Sequence, residues 1–142
     1  MKFNKFSTIK HRKDNSVNDT SIVTSTWFYQ NVRGLKTKLK DFFMSVSSGV
    51  YSVIIITETW LDDDINDNEL FSNQYIVYRK DRSLNTSEKK WGGGVLIAVN
   101  KSLKSKILPI SDPSIEEVWI SVQFEDLQVC VGTVYIPPSK LT

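Results

Sequence analysis

Residues 51–57 carry Val53, Ile54, Ile55 and Ile56 in succession, a run with no polar face. A strand of this kind is covered on both sides. It is followed at once by an acid, Glu58. Upstream, residues 25–31 (STWFYQN) are rich in β-branched and aromatic side chains and predict a strand. A turn at Val32-Arg-Gly34 closes it. Between the two strands, Leu35, Leu39, Phe42, Phe43 and Val46 recur at spacings of three and four. That spacing draws one apolar stripe on a helix, with lysines opposite and Gly49 as the C-terminal stop. Strand, amphipathic helix and buried strand together predict parallel pairing.

The remainder is β-patterned. Residues 62–69 are an acidic loop or short helix, 75–79 a strand, and 80–90 a long charged loop. Residues 93–99 form a strand apolar on both faces. In 118–124, Val118, Ile120, Val122 and Phe124 point one way. Glu125-Asp126 then turns into a strand over 128–136, so this pair predicts a hairpin. Pro137 and Pro138 stop it, because proline has no N–H for a ladder. About six strands and one main helix place the chain in the α/β class. Residues 1–21 are polar and basic and predict a flexible arm ahead of a domain over 22–142.

A length of 142 residues suits one domain, and 40% hydrophobic with 24% charged residues is ordinary for a globular chain. No apolar run approaches the length of a membrane span, and the opening MKFNKFSTIKHRKDNS has no apolar segment of a secretory signal. The lone Cys130 allows no internal disulfide, which fits an intracellular, reducing compartment. A net charge of +2 is too small to imply a polyanionic partner by itself.

Several chemistries are excluded. The one histidine, His11, lies in the basic arm, so Ser-His and Cys-His nucleophilic sites and Cys/His zinc sites fail on count. Trp91-Gly-Gly-Gly94 lacks the Gly-Lys-Ser/Thr ending of a phosphate loop and precedes a strand. It reads instead as a strand entry that needs close backbone approach. Asp62, Asp64 and Asn66 resemble the start of a calcium loop, but Asp67 stands where glycine is needed and Asn73 where a bidentate Glu is needed. Helix-capping carboxylates fit that run better.

Polar groups at strand ends remain. Asn31 closes the first strand and Glu58 follows the second. In a parallel pair both sit at the carboxyl edge, where α/β proteins place ligands. A carboxylate with an amide oxygen is a hard donor pair suited to Mg²⁺. A turn asparagine beside a surface glutamate is the plainer alternative.

Five segments then occur in order: Gln30-Asn-Val-Arg-Gly-Leu35, Ile56-Thr-Glu-Thr-Trp-Leu61, Tyr78-Arg-Lys-Asp-Arg82, Gly92-Gly-Gly-Val95 and Gly132-Thr-Val-Tyr-Ile-Pro-Pro138. The set resembles the endonuclease domain of non-long-terminal-repeat retrotransposons of the jockey type, within the endonuclease/exonuclease/phosphatase superfamily. The resemblance covers about residues 25–142 and implies a DNase I-like α/β sandwich. It assigns Asn31 as an active-site asparagine, Glu58 as the Mg²⁺-binding glutamate and Tyr135 as a tyrosine near the scissile phosphate. Arg79 and Arg82 match a basic loop motif. Lys80, Arg82, Lys89 and Lys90 are candidates for contacting the DNA backbone without reading sequence. Trp91 beside them could stack on a base or simply pack, and packing is the expectation. Nicking of one DNA strand and a nuclear site of action follow from the same resemblance.

The chain departs from that family's pattern. A Gly-Asp-x-Asn motif, a later aspartate and a terminal Ser-Asp-His are expected beyond the Tyr-x-Pro-Pro word, and none is present. The expectation is therefore a partial domain, truncated at its C-terminus, with little hydrolytic activity of its own and Mg²⁺ weakly bound or absent. One mixed sheet is expected without its second sheet, leaving a bare apolar face and a tendency to self-associate. A non-catalytic nucleic-acid-binding remnant and a phosphatase of the same superfamily are the alternatives.

Overall fold

A computed structural model describes residues 6–12, 22–48, 50–84, 86–87, 91–109 and 112–137, with backbone alone over 6–12 and 22–23. Its elements in chain order are β1 (Phe6–Arg12), β2 (Ile22–Asn31), a 3₁₀ turn (Lys36–Lys38), α1 (Leu39–Ser48), β3 (Val53–Thr57), α2 (Asp67–Leu70), β4 (Tyr75–Lys80), β5 (Val95–Asn100), β6 (Lys104–Ile107), β7 (Glu116–Phe124) and β8 (Leu127–Tyr135). They form two sheets, β1-β2-β3-β5-β4 and β6-β7-β8.

The predicted strand–helix–strand unit is present. β2 and β3 pair in parallel, with Asn31 opposite Thr57. The stripe on α1 faces the sheet: Leu35, Phe42 and Val46 are buried, and Leu39 packs against the same core, whereas Met44 is exposed. Gly49, the expected helix stop, lies outside the described residues.

β3 and β5 are apolar on both faces because each face meets a different layer. Ile54, Ile56, Leu96 and Ala98 join Phe28, Phe42, Leu70 and Phe71 in a core on the helix side. Val53, Val95, Ile97 and Val99 join Val118, Ile120, Val122 and Val131 of the second sheet. The architecture is thus an α/β sandwich. Stacked rings of Trp27 and Phe124, with centroids 6.0 Å apart, tie β2 to β7, and Tyr78 Oη hydrogen-bonds Ser105 Oγ at 2.9 Å across from β4 to β6.

Two expectations are corrected here. The second sheet is not missing; β6, β7 and β8 supply it and cover Val53, Val95, Ile97 and Val99 of the first sheet. The predicted hairpin is present as β7 and β8, with β7 starting two residues earlier and β8 shifted by one, but it does not join the first sheet. β6 was unpredicted because Lys104-Ser-Lys-Ile107 is short and mostly polar, with no alternation to reveal it. Moreover, Phe6–Arg12 pairs antiparallel with β2, a strand that the reading of 1–21 as an arm did not anticipate; the rest of 1–21 lies outside the described residues.

The acidic segment is capped as its composition suggests. α2 is a single turn closed by a capping box, with Asn66 N–H donating to Glu69 Oε1 at 2.9 Å. No helix among the described residues is long and apolar enough to cross a membrane.

Candidate functional site

The carboxyl ends of β2 and β3 bring Asn31 and Glu58 together. Asn31 Nδ2 donates to Glu58 Oε1 at 2.8 Å. The parallel ladder continues past the strands, with Val32 N–H to Thr57 O at 3.0 Å, Gly34 N–H to Glu58 O at 2.8 Å and Leu35 N–H to Thr59 O at 2.8 Å. Glu58 has a left-handed φ of 55°, as has Trp60 at 53°. Such a conformation costs a non-glycine residue about 1–3 kcal/mol and is held by its surroundings. Here the holding bonds are Thr59 N–H to Gly94 O at 3.2 Å and Trp60 N–H to Gly93 O at 2.9 Å. Strand alternation ends at Glu58 as a result, and the side chain meets Asn31 at a solvent-facing edge.

The glycine run Gly92-Gly-Gly94 sits against a buried ion pair. Arg82 Nε donates to Glu116 Oε1 at 2.6 Å, and their side chains are 7% and 0% exposed. Glu116 also accepts from Gly94 N–H at 2.8 Å and from Thr86 Oγ1 at 3.1 Å. A Cβ on Gly93, whose φ is +64°, would collide with Glu116 Oε2 and Arg82 Nη2. This is the close approach that the glycine run implied, made by side chains rather than by a phosphate. Arg82 further donates to Trp91 O at 2.8 Å.

Tyr135 lies opposite Glu116 in the β7–β8 ladder, packs against the intersheet core and has the Arg82 guanidinium 5.8 Å from its ring centroid. Hydrogen bonds therefore run from the Glu58 loop through Gly93 and Gly94 to Glu116, whose ladder partner is Tyr135. Glu116 was missed at the level of sequence. Its signal was available: Glu116, Val118, Ile120 and Val122 share one period-two face, and an acid on an apolar face needs a buried cation.

The arginines serve the fold. Arg79 donates to Ile65 O at 2.8 Å, Asp62 O at 2.8 Å and Asp67 Oδ1 at 3.0 Å, and it pairs with Asp81 Oδ2 at 2.8 Å. It clamps the acidic segment to β4. Arg79 and Arg82 are both engaged in this way, with side chains only 15% and 7% exposed. Lys89 and Lys90 lie outside the described residues. Trp91 is 73% exposed, so it is not packed into the core.

Asp81 gives a pH signature. Burial pushes its carboxyl above the ordinary carboxylate range, with Arg79 opposing and Asp63 and Asp67 adding to the rise. A raised pKa means that the folded chain binds the proton more readily than the unfolded chain. Stability from this group is therefore gained as pH falls through the raised value, and the gain is complete below the ordinary one. Urea unfolding of the wild type and Asp81→Asn across that window should show the wild type gaining on the variant as pH falls; a constant difference would contradict the burial.

As a metal site, the corner offers the Glu58 carboxylate and the Asn31 carboxamide. Both are hard oxygen groups, and their donor chemistry fits a cation that keeps most of its water. Among the described residues, no three His, Cys, Asp or Glu side chains gather as a ligand cluster. No protein-family model matches the chain, and no curated protein matches it.

Proposed function

We propose that the Asn31–Glu58 corner binds Mg²⁺ and faces a phosphodiester of DNA, as expected of the endonuclease domain that the sequence resembles. The observation that carries this reading is the 2.8 Å contact between two side chains 27 positions apart, on adjoining parallel strands, at a solvent-facing carboxyl edge. Bound Mg²⁺ supplies Lewis-acid stabilisation of a phosphate oxygen and of the leaving oxygen. Glu58 furnishes the carboxylate ligand, and Asn31 orients it. Tyr135 stands at the end of the adjoining sheet.

Within these 142 residues no Gly-Asp-x-Asn or Ser-Asp-His occurs to activate a water. Losing members of a cooperating catalytic set costs several orders of magnitude in rate. The same reading therefore has this chain holding metal and nucleic acid while hydrolysing little by itself. A non-catalytic nucleic-acid-binding role is the second reading. A nuclear site of action belongs with both.

Isothermal titration with Mg²⁺ and Mn²⁺ tests the corner. Glu58→Gln should weaken divalent-cation binding at least about tenfold, a loss of about 1.4 kcal/mol. Equal affinity in the two proteins would remove Glu58 from the site. Nicking of supercoiled plasmid should stay near background in both, and turnover of an inositol phosphate without any action on DNA would select a phosphatase instead.

A further inference from the structure

Two of the four tryptophans are left open to solvent around one cleft. Trp60 is 44% exposed and Trp91 is 73% exposed. Together with Leu61, Asp62, Arg82 and Gly92 they line a cavity of about 190 Å³. This is below the range of about 300–1,000 Å³ usual for larger ligands and suits a single planar ring system.

The walls are built rather than incidental. Trp60 adopts a left-handed φ and is tied by its N–H to Gly93 O at 2.9 Å. Its ring lies so close to Gly34 that a Cβ there would come within 2.8 Å of it. Trp91 is anchored at its carbonyl by Arg82, itself locked to Glu116. Strained backbone and a buried ion pair thus fix the main chain of both tryptophans at the cleft, with part of each ring exposed.

We propose that this cleft accepts one unpaired nucleobase of a DNA strand, stacked against the indoles beside the Glu58 corner. The inference rests on the metal-corner reading above for its choice of a nucleic acid over a peptide. Trp60 lies two residues beyond Glu58, which puts the cleft next to the corner along the chain. Asp62, the one acid in the lining, is ion-paired with Lys36, which reduces its repulsion of a phosphate. Stacking on aromatic faces tolerates any base, because every base has a π-face.

The test uses fluorescence anisotropy of labelled oligomers with the full chain. A short thymidine oligonucleotide is compared with a deoxyribose-phosphate oligomer of equal length that carries no bases. Trp91→Ala should weaken binding of the first roughly 5- to 150-fold and leave the second unchanged, and Trp91→Phe should restore most of the loss. Equal binding of the two oligomers by the wild type, no loss in Trp91→Ala, no binding of either oligomer, or occupation by a proline-rich peptide that DNA does not displace would each overturn it. The metal-corner reading fails separately: Glu58→Gln would then keep wild-type affinity for Mg²⁺ while discrimination between the oligomers persists.

Discussion

Replacing Glu116 with alanine is expected to remove about 3–5 kcal/mol of folding stability, the cost of leaving a buried charge without its partner. Arg82 would stay in a site where its side chain is 7% exposed, and Gly94 N–H would lose its side-chain acceptor. Since small domains are stable by only about 5–15 kcal/mol, the variant should unfold at much lower urea. The pair as such need not be stabilising. Replacing both partners with apolar residues of similar volume, Arg82→Met with Glu116→Leu, should recover most of the loss, because no charge is then stranded. A double variant as unstable as Glu116→Ala would show that the ion pair is required in itself. The consequence extends to the Glu58 loop, because Gly93 and Gly94 receive the N–H groups of Trp60 and Thr59. On the proposed metal reading, Glu116→Ala should therefore also weaken divalent-cation binding where the chain remains folded.

Phe42→Ala is the second large effect, about 3–5 kcal/mol from lost burial and the cavity left behind. Phe42 is fully buried on α1 and meets Phe71 edge-on, with centroids 5.5 Å apart and planes at 86°. Met44, two positions along the same helix, is 62% exposed, so Met44→Ala should stay within about 0.5 kcal/mol. Urea unfolding of both variants checks the pair. Similar losses would mean that the helix is not seated by the stripe that Leu35, Leu39, Phe42 and Val46 define. This seat bears on function because Val32 and Leu35 belong to the same core and carry the chain from Asn31 into the helix.

The contact between Asn31 and Glu58 was legible because each stands at the end of a strand whose character is local. The apolar run of β3 and the stripe of α1 together imply a parallel crossover, and a parallel crossover brings two strand ends to one edge. The roles of Arg79 and Arg82 were not legible in that way. Their motif is the same whether the guanidinium faces a phosphate or a buried carboxylate. Arg82 lies 34 positions from Glu116, and nothing between them records the pairing.

Local periodicity reports which face of a segment is apolar, because side-chain direction repeats with the backbone geometry of that segment alone. Helix α1, the double-faced strands β3 and β5, and the β7–β8 hairpin could therefore be recognised along the chain. Which segment covers each face is a contact between distant residues, chosen by burial and shape across the whole molecule. The insertion of β5 between β3 and β4, the second sheet that closes the sandwich, and the buried Arg82–Glu116 pair all belong to that second kind of fact.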